Sequence, residues 1–166
     1  MDCYDDKRYI NEVKSAKGGK SVQEKILLVE DDRDIVAYLS SFLKNENFIV
    51  EAVAGQREAI EKLETREYDL LLIDISLADG NGYAVWAAAK EKSPAAVIFL
   101  TASGDEYSVV TGLDMGADDY INKPFRPREL VSRIRSVLRR TGKSQKLLKE
   151  GSITVDTVKG IVYRNG

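Results

Sequence analysis

Carboxylates, a lysine and a hydroxyl stand at the ends of short apolar runs along this chain of 166 residues. Glu30, Asp31 and Asp32 follow the first run, Asp74 closes the third, Thr101 follows the fourth, and Lys123 comes just after the fifth. If the runs are parallel strands of one sheet, these groups share one edge of it. Carboxylates brought together repel one another, so a cation belongs among them. Oxygen ligands with no His or Cys nearby favour a hard ion, Mg²⁺ or Mn²⁺. Metal, ammonium and hydroxyl around one carboxylate are what phosphoryl transfer requires. The cations neutralise equatorial oxygens, and Thr101 can donate a hydrogen bond to a third. Pro124 restricts Lys123 to extended backbone, and a cis Lys123-Pro124 peptide would help aim the ammonium at Asp74.

The chain has no histidine. That removes Ser-His-Asp and Cys-His catalysis, histidine-ligated zinc and histidine general bases together. A single cysteine, Cys3, excludes an internal disulfide and points to a reducing, cytoplasmic setting. With a net charge of −2 and a pI of about 5.4, the chain as a whole offers no electrostatic footprint for nucleic acid. No apolar run approaches the roughly 20 residues of a membrane span. The first residues lack the apolar core of a secretory signal, so no membrane partner is expected.

The elements that must position the polar groups follow from an alternation repeated five times. The apolar runs are KILLV (25–29), FIVEAV (48–53), DLLLID (69–74), AVIFL (96–100) and DYI (119–121). Nearly continuous apolar runs suit parallel strands covered on both faces. Between and after them lie helical stripes: Ile35, Leu39, Phe42 and Leu43; Ala59, Ile60 and Leu63; Tyr83, Val85, Trp86 and Ala89; Val109, Val110 and Leu113; and Leu130, Ile134, Val137 and Leu138. Strand–helix alternation with short connections predicts an α/β fold, a (βα)₅ doubly wound parallel sheet. Ligands in such sheets sit beyond the carboxyl ends of the strands, where the polar groups fall.

The segments ILLVEDD, DLLLIDISLADGNGY, VIFLTA and GADDYINKPF resemble the receiver domains of two-component response regulators, over about residues 25–140. The resemblance implies a flavodoxin-like strand order 2-1-3-4-5 and a role for each residue. Asp74 would be the phospho-acceptor. Asp31 would bind Mg²⁺ directly, Glu30 through water, and the Ser76 backbone carbonyl would be a further ligand. Thr101 and Lys123 would contact the phosphoryl group, and Tyr120 would be the aromatic switch that moves with Thr101. The donor would be a histidine kinase acting in trans, or a small phosphodonor. Ala78 stands where the family often has proline, which predicts a looser loop. Ser76 and Ser103 occupy positions that tune phosphoryl lifetime in the family.

Residues 1–24 are polar and read as a tail, with 141–150 a basic linker. The segment 151–166 alternates in β fashion with a turn near Lys159-Gly160. It resembles the opening strands of the winged-helix effector domain of the OmpR/PhoB class. A recognition helix is not found in these residues, so DNA would be read only in an intact protein, of which this chain is expected to be a truncated piece or fragmentary product. That class dimerises through its fourth helix, fifth strand and fifth helix. Matching charged positions are Asp114 with Arg135 and Asp119 with Arg133; Glu129 also matches, but its partner position holds Val109.

Blander readings stand beside these. Glu30-Asp31-Asp32 suits an acidic helix start, and Asp32 could simply cap it. Tyr120 could be core, Trp86 helix packing, and Gly80, Asn81 and Gly82 turn chemistry. Two rival functions remain: a degenerate receiver that only binds partners, and an aspartate-nucleophile phosphatase. The latter typically carries a second acid where this chain has Ser76.

Overall fold

The computed structural model describes residues 23–102, 114, 116–142, 147–150, 153–156 and 161–164. Five parallel strands form the central sheet: β1 (Lys25–Val29), β2 (Ile49–Val53), β3 (Leu70–Asp74), β4 (Ala96–Ala102) and β5 (Asp119–Lys123), in the order 2-1-3-4-5. The helices are α1 (Arg33–Asn45), α2 (Gln56–Thr65), α3 (Gly82–Lys92) and α4 (Pro127–Arg140). The last corresponds to the fifth helical stripe. The fourth stripe, Val109, Val110 and Leu113, lies outside the described residues, as does the polar tail up to residue 22.

Successive side chains on a strand point to opposite faces, so a continuously apolar strand feeds two cores. Ile26, Leu28, Leu70, Leu72, Ile98 and Leu100 pack on one face with Leu39 and Leu43 of α1 and Leu130, Ile134 and Leu138 of α4. Leu27, Val29, Leu71, Ile73, Val97 and Phe99 pack on the other with Ala59 and Leu63 of α2 and Val85, Trp86 and Ala89 of α3. The doubly wound architecture expected from the sequence is therefore present, and Trp86 is helix packing. Asp32 caps α1, accepting the N–H groups of Asp34 and Ile35. Asn81 likewise caps α3 through the Ala84 N–H.

Two differences from expectation exceed a single residue. Strands β4 and β5 run two residues further, because their parallel pairing continues through Thr101 with Asn122 and Ala102 with Lys123. Thr101 and Lys123 thus sit inside strand ends, where the rigid sheet holds them. The other difference concerns the stretch expected as linker. Residues Leu147–Glu150 form a strand, β6, pairing antiparallel with β7 (Ile153–Asp156), which pairs in turn with β8 (Ile161–Arg164). The LLKE segment is too short and too charged to announce itself; its ladder to β7 makes it a strand. Among the described residues no helix is long and apolar enough to cross a membrane.

Candidate active site

The carboxyl ends of β1, β3, β4 and β5 lie side by side, which brings the expected groups together. Glu30 follows β1 and is anchored by its N–H donating to the Val53 carbonyl at 3.1 Å. Oxygens of Glu30, Asp31 and Asp74 all lie within 4.8 Å of one another. Glu30 is 1% exposed and Asp74 7%, whereas Asp31 is open to solvent. Lys123 reaches across from β5, placing its ammonium 2.7 Å from Glu30 and 2.9 Å from Asp74. The Lys123-Pro124 peptide is cis.

The electrostatics follow from burial and pairing. Burial raises the Glu30 carboxyl above its ordinary range, against the lowering effect of the Lys123 bond and the Asp32 N–H. Burial of the Lys123 ammonium works against its charge, but bonds to Glu30 and Asp74 outweigh it and hold the amine above its usual value. Three carboxylates against one ammonium leave a deficit of two positive charges. An all-oxygen donor set with that deficit fits a hard divalent cation. Glu30, Asp31 and Asp74 are the side chains that could hold one.

The loop after Asp74 is pinned, contrary to the looseness expected from Ala78. Asp74 Oδ1 accepts the Ser76 N–H at 3.0 Å, and Ile75 donates to the Leu100 carbonyl at 3.1 Å. The Ala78 N–H donates to Asp31 Oδ2 at 3.0 Å, a bond proline could not make. Beyond it, Asp79 accepts the N–H groups of Gln56 and Arg57 at 2.7 and 3.2 Å, capping α2 in place of Gly55, which has no side chain to do so. Gln56 Oε1 in turn accepts the Asn81 N–H at 3.0 Å. A Cβ on Gly55 would strike the Asp79 carboxylate, and one on Gly80 would strike Gln56. One on Gly82 would strike the Asp74 carbonyl. These glycines supply space for close approach; Gly80 pairs with Leu77 in a short bridge and Gly82 opens α3, so neither occupies the turn read for them from the sequence. The sequence reading missed Asp79 and Gln56, because their partners lie 22–25 residues away and no local pattern marks them.

Thr101 is buried, and its hydroxyl donates to Asn122 Oδ1 at 2.7 Å. Tyr120 is buried and stacks on Phe99 with ring centroids 5.3 Å apart. Its hydroxyl has no hydrogen-bond partner among the described residues, and burial raises the phenol well above its usual value. Of the charged positions matched to a dimer face, Arg133 pairs within the chain with Asp119 at 3.2 Å and Glu129 at 3.3 Å. Arg135 pairs with Glu46 at 2.8 Å, and Asp114 and Glu129 are exposed. Ser103 and Val109 lie outside the described residues.

Residues 26–135 match the response regulator receiver domain. The chain is 44% identical over 117 residues to the transcriptional regulatory protein CpxR of Escherichia coli (strain K12), covering 70% of this chain and 50% of that protein. It is 40% identical over 119 residues to the regulatory protein VanR of Enterococcus faecium, covering 72% and 52%. The chain thus spans about half the length of the curated relatives it matches. A CheY-like response regulator receiver domain protein of Methanospirillum hungatei JF-1 superposes with a TM-score of 0.68 at 33% identity, over 73% of this chain and 98% of that one. The response regulator DrrB of Thermotoga maritima, an OmpR/PhoB homolog, gives 0.65 at 29% identity, over 87% and 64%. With sheet order, acidic cluster and sequence in agreement, this chain belongs to the receiver domain family of two-component response regulators.

Proposed function

We propose that this chain is a phosphorylation-driven switch in which Asp74 accepts a phosphoryl group from a histidine kinase in trans, or from a small phosphodonor. The observation that carries this is the Asp74 carboxylate, 7% exposed at the end of β3, with Glu30, Asp31 and Lys123 converging on it. An Asp74 oxygen attacks phosphorus as the bond to the donor's imidazole nitrogen breaks; that nitrogen keeps the electron pair and takes a proton. The Ser76 N–H, 3.0 Å from Oδ1, fixes the orientation of the attacking carboxylate. Lys123 follows the charge from the carboxylate to an equatorial phosphoryl oxygen, and Thr101 donates to another. Mg²⁺, held by Glu30, Asp31, Asp74 and the Ser76 carbonyl, would supply the missing positive charge on the phosphoryl oxygens. Mn²⁺ suits the same donors.

Thr101 and Tyr120 would relay the change. The Tyr120 hydroxyl, buried without a partner among the described residues, would gain by moving to one. Dimerisation would follow on the face carrying Asp114, Asp119, Glu129, Arg133 and Arg135, where Arg135 would exchange Glu46 for an acid of the partner copy. In an intact protein the output would be transcription, with DNA contacted only by an effector domain, in the cytoplasm. No turnover of an external substrate is proposed. The complete set of acids with Thr101 and Lys123 favours this reading over an interaction-only module, and Ser76 in place of a second acid favours it over a phosphatase.

Intact-mass spectrometry after acetyl phosphate and Mg²⁺ tests it. A single added phosphoryl group, abolished by EDTA and by Asp74→Asn, is expected. No adduct, with beryllofluoride also failing to bind, would leave only the interaction module.

A further inference from the structure

Thr101 and Asn122 face one another in register across the carboxyl ends of β4 and β5. The Thr101 hydroxyl, on a side chain 1% exposed, donates to the Asn122 carboxamide oxygen at 2.7 Å. Asn122 itself is exposed. A hydroxyl has one proton to donate. While Asn122 holds it, Thr101 has none to offer an oxygen on Asp74.

We propose that Asn122 is a positioning residue that restrains the switch, competing with the phosphoryl group for the Thr101 hydroxyl. The proposal rests on reading Asp74 as the acceptor and Thr101 as a phosphoryl donor. Its force comes from an asymmetry in burial. Thr101 needs an acceptor inside the protein, since an unmet buried hydroxyl is costly. Asn122 provides one in the resting state. Once released, the exposed carboxamide returns to water at little cost. A phosphoryl oxygen is charged and accepts more strongly than an amide oxygen, so the exchange still runs forward when the group arrives. What Asn122 contributed to the resting state is subtracted from that gain. The side chain thereby sets how firmly the phosphorylated geometry is held, without touching Asp74 or the metal ligands.

Its neighbour Lys123 faces the carboxylates, with its ammonium on Glu30 and Asp74. Two adjacent residues of β5 thus act in opposite senses. Lys123 favours the phosphorylated state by neutralising charge, and Asn122 favours the resting state by occupying a donor.

The test is calorimetric titration of the full chain with beryllofluoride in Mg²⁺, comparing wild type, Asn122→Ala, Thr101→Val and the double variant. Asn122→Ala is expected to bind about fivefold more tightly, the equilibrium worth of one neutral hydrogen bond. In the Thr101→Val background the same substitution is expected to change nothing, because no hydroxyl remains to be contested. Unchanged or weaker binding by Asn122→Ala would overturn the proposal. So would an equal gain in the Thr101→Val background, which would mark a general loosening of β5. Absence of beryllofluoride binding by the wild-type chain would instead overturn the acceptor reading, and the proposal with it.

Discussion

Substituting Lys123 by Met keeps a long apolar stem in place and removes only the ammonium. In the metal-free protein, Glu30 and Asp74, with side chains 1% and 9% exposed, then lose bonds of 2.7 and 2.9 Å. Removing one partner of a buried ion pair costs about 3–5 kcal/mol. Two effects reduce that here. The Lys123 side chain is 24% exposed, so its bonds are partly screened. Glu30, already raised by burial, can also take up a proton instead of staying charged beside Asp74. About 2–3 kcal/mol of lost stability remains. With a urea slope of roughly 2 kcal/mol/M, the midpoint in EDTA falls by about 1–1.5 M. Mg²⁺ should reverse the loss. The variant site has no ammonium to repel the ion, and Mg²⁺ displaces any proton taken up by Glu30, so it binds Mg²⁺ more tightly than wild type. Saturating the site to 100 times its dissociation constant restores about 2.7 kcal/mol. Phosphorylation by acetyl phosphate nevertheless falls, because no ammonium meets the equatorial oxygen. Urea melts with EDTA and with Mg²⁺, beside phosphorylation rates, read all three. Equal midpoints in EDTA, or weaker Mg²⁺ binding by the variant, would refute the reasoning.

Two further outcomes follow from contacts away from Asp74. Glu51 accepts Lys62, Arg66 and Tyr68 at 2.7, 3.0 and 2.6 Å, and the Lys62 bond foremost lowers its carboxyl to about 2 from 4.5. A lowered folded-state value means this stability is present above about pH 4.5 and lost as pH falls toward 2. With the carboxylate 23% exposed, about 1 kcal/mol is expected after screening. Urea melts should therefore show Glu51→Gln less stable than wild type at pH 7 and equal to it near pH 2; a gap that persists in acid would contradict the assignment. Asp79→Ala uncaps α2 and releases the loop behind Asp74. Amide exchange at Gln56 and Arg57 should rise about fivefold with central-strand amides unchanged, and no rise would show that the cap does not hold.

The legible part of this protein was the part whose pattern is local. Strands β1, β3 and β4 are apolar on both faces, so the run itself signals a buried parallel strand, and the acids at the run ends mark the site. The rest is carried by contacts between segments far apart in the chain. Thr101 was expected to await the phosphoryl group, but its actual acceptor, Asn122, lies 21 residues on and becomes a neighbour only through the β4–β5 register. The last two residues of each of those strands are not continuously apolar, so pairing alone extends them. Ala78 predicts looseness because it lacks proline's rigidity, whereas its N–H supplies a bond that proline cannot. Asp32 was ambiguous between ligand and cap, and two backbone N–H groups settle it as the cap.

The interlock of Gly55 with Asp79, and of Gln56 with Gly80, has a consequence for mutational history. A side chain at 55 has no room while Asp79 caps α2, and a side chain at 80 has none while Gln56 reaches Asn81. A side chain at either glycine displaces the tip of a flexible neighbour, so its cost is the hydrogen bonds that tip makes: those of Asp79 to Gln56 and Arg57, or that of Gln56 to Asn81. Yet loss of Asp79 leaves Gly55 free to change, and loss of Gln56 does the same for Gly80. Each pair therefore has a less costly order of replacement, side chain first and glycine second. The two loops that frame Asp74 are thus coupled in sequence, each glycine tied to the side chain that fills its space.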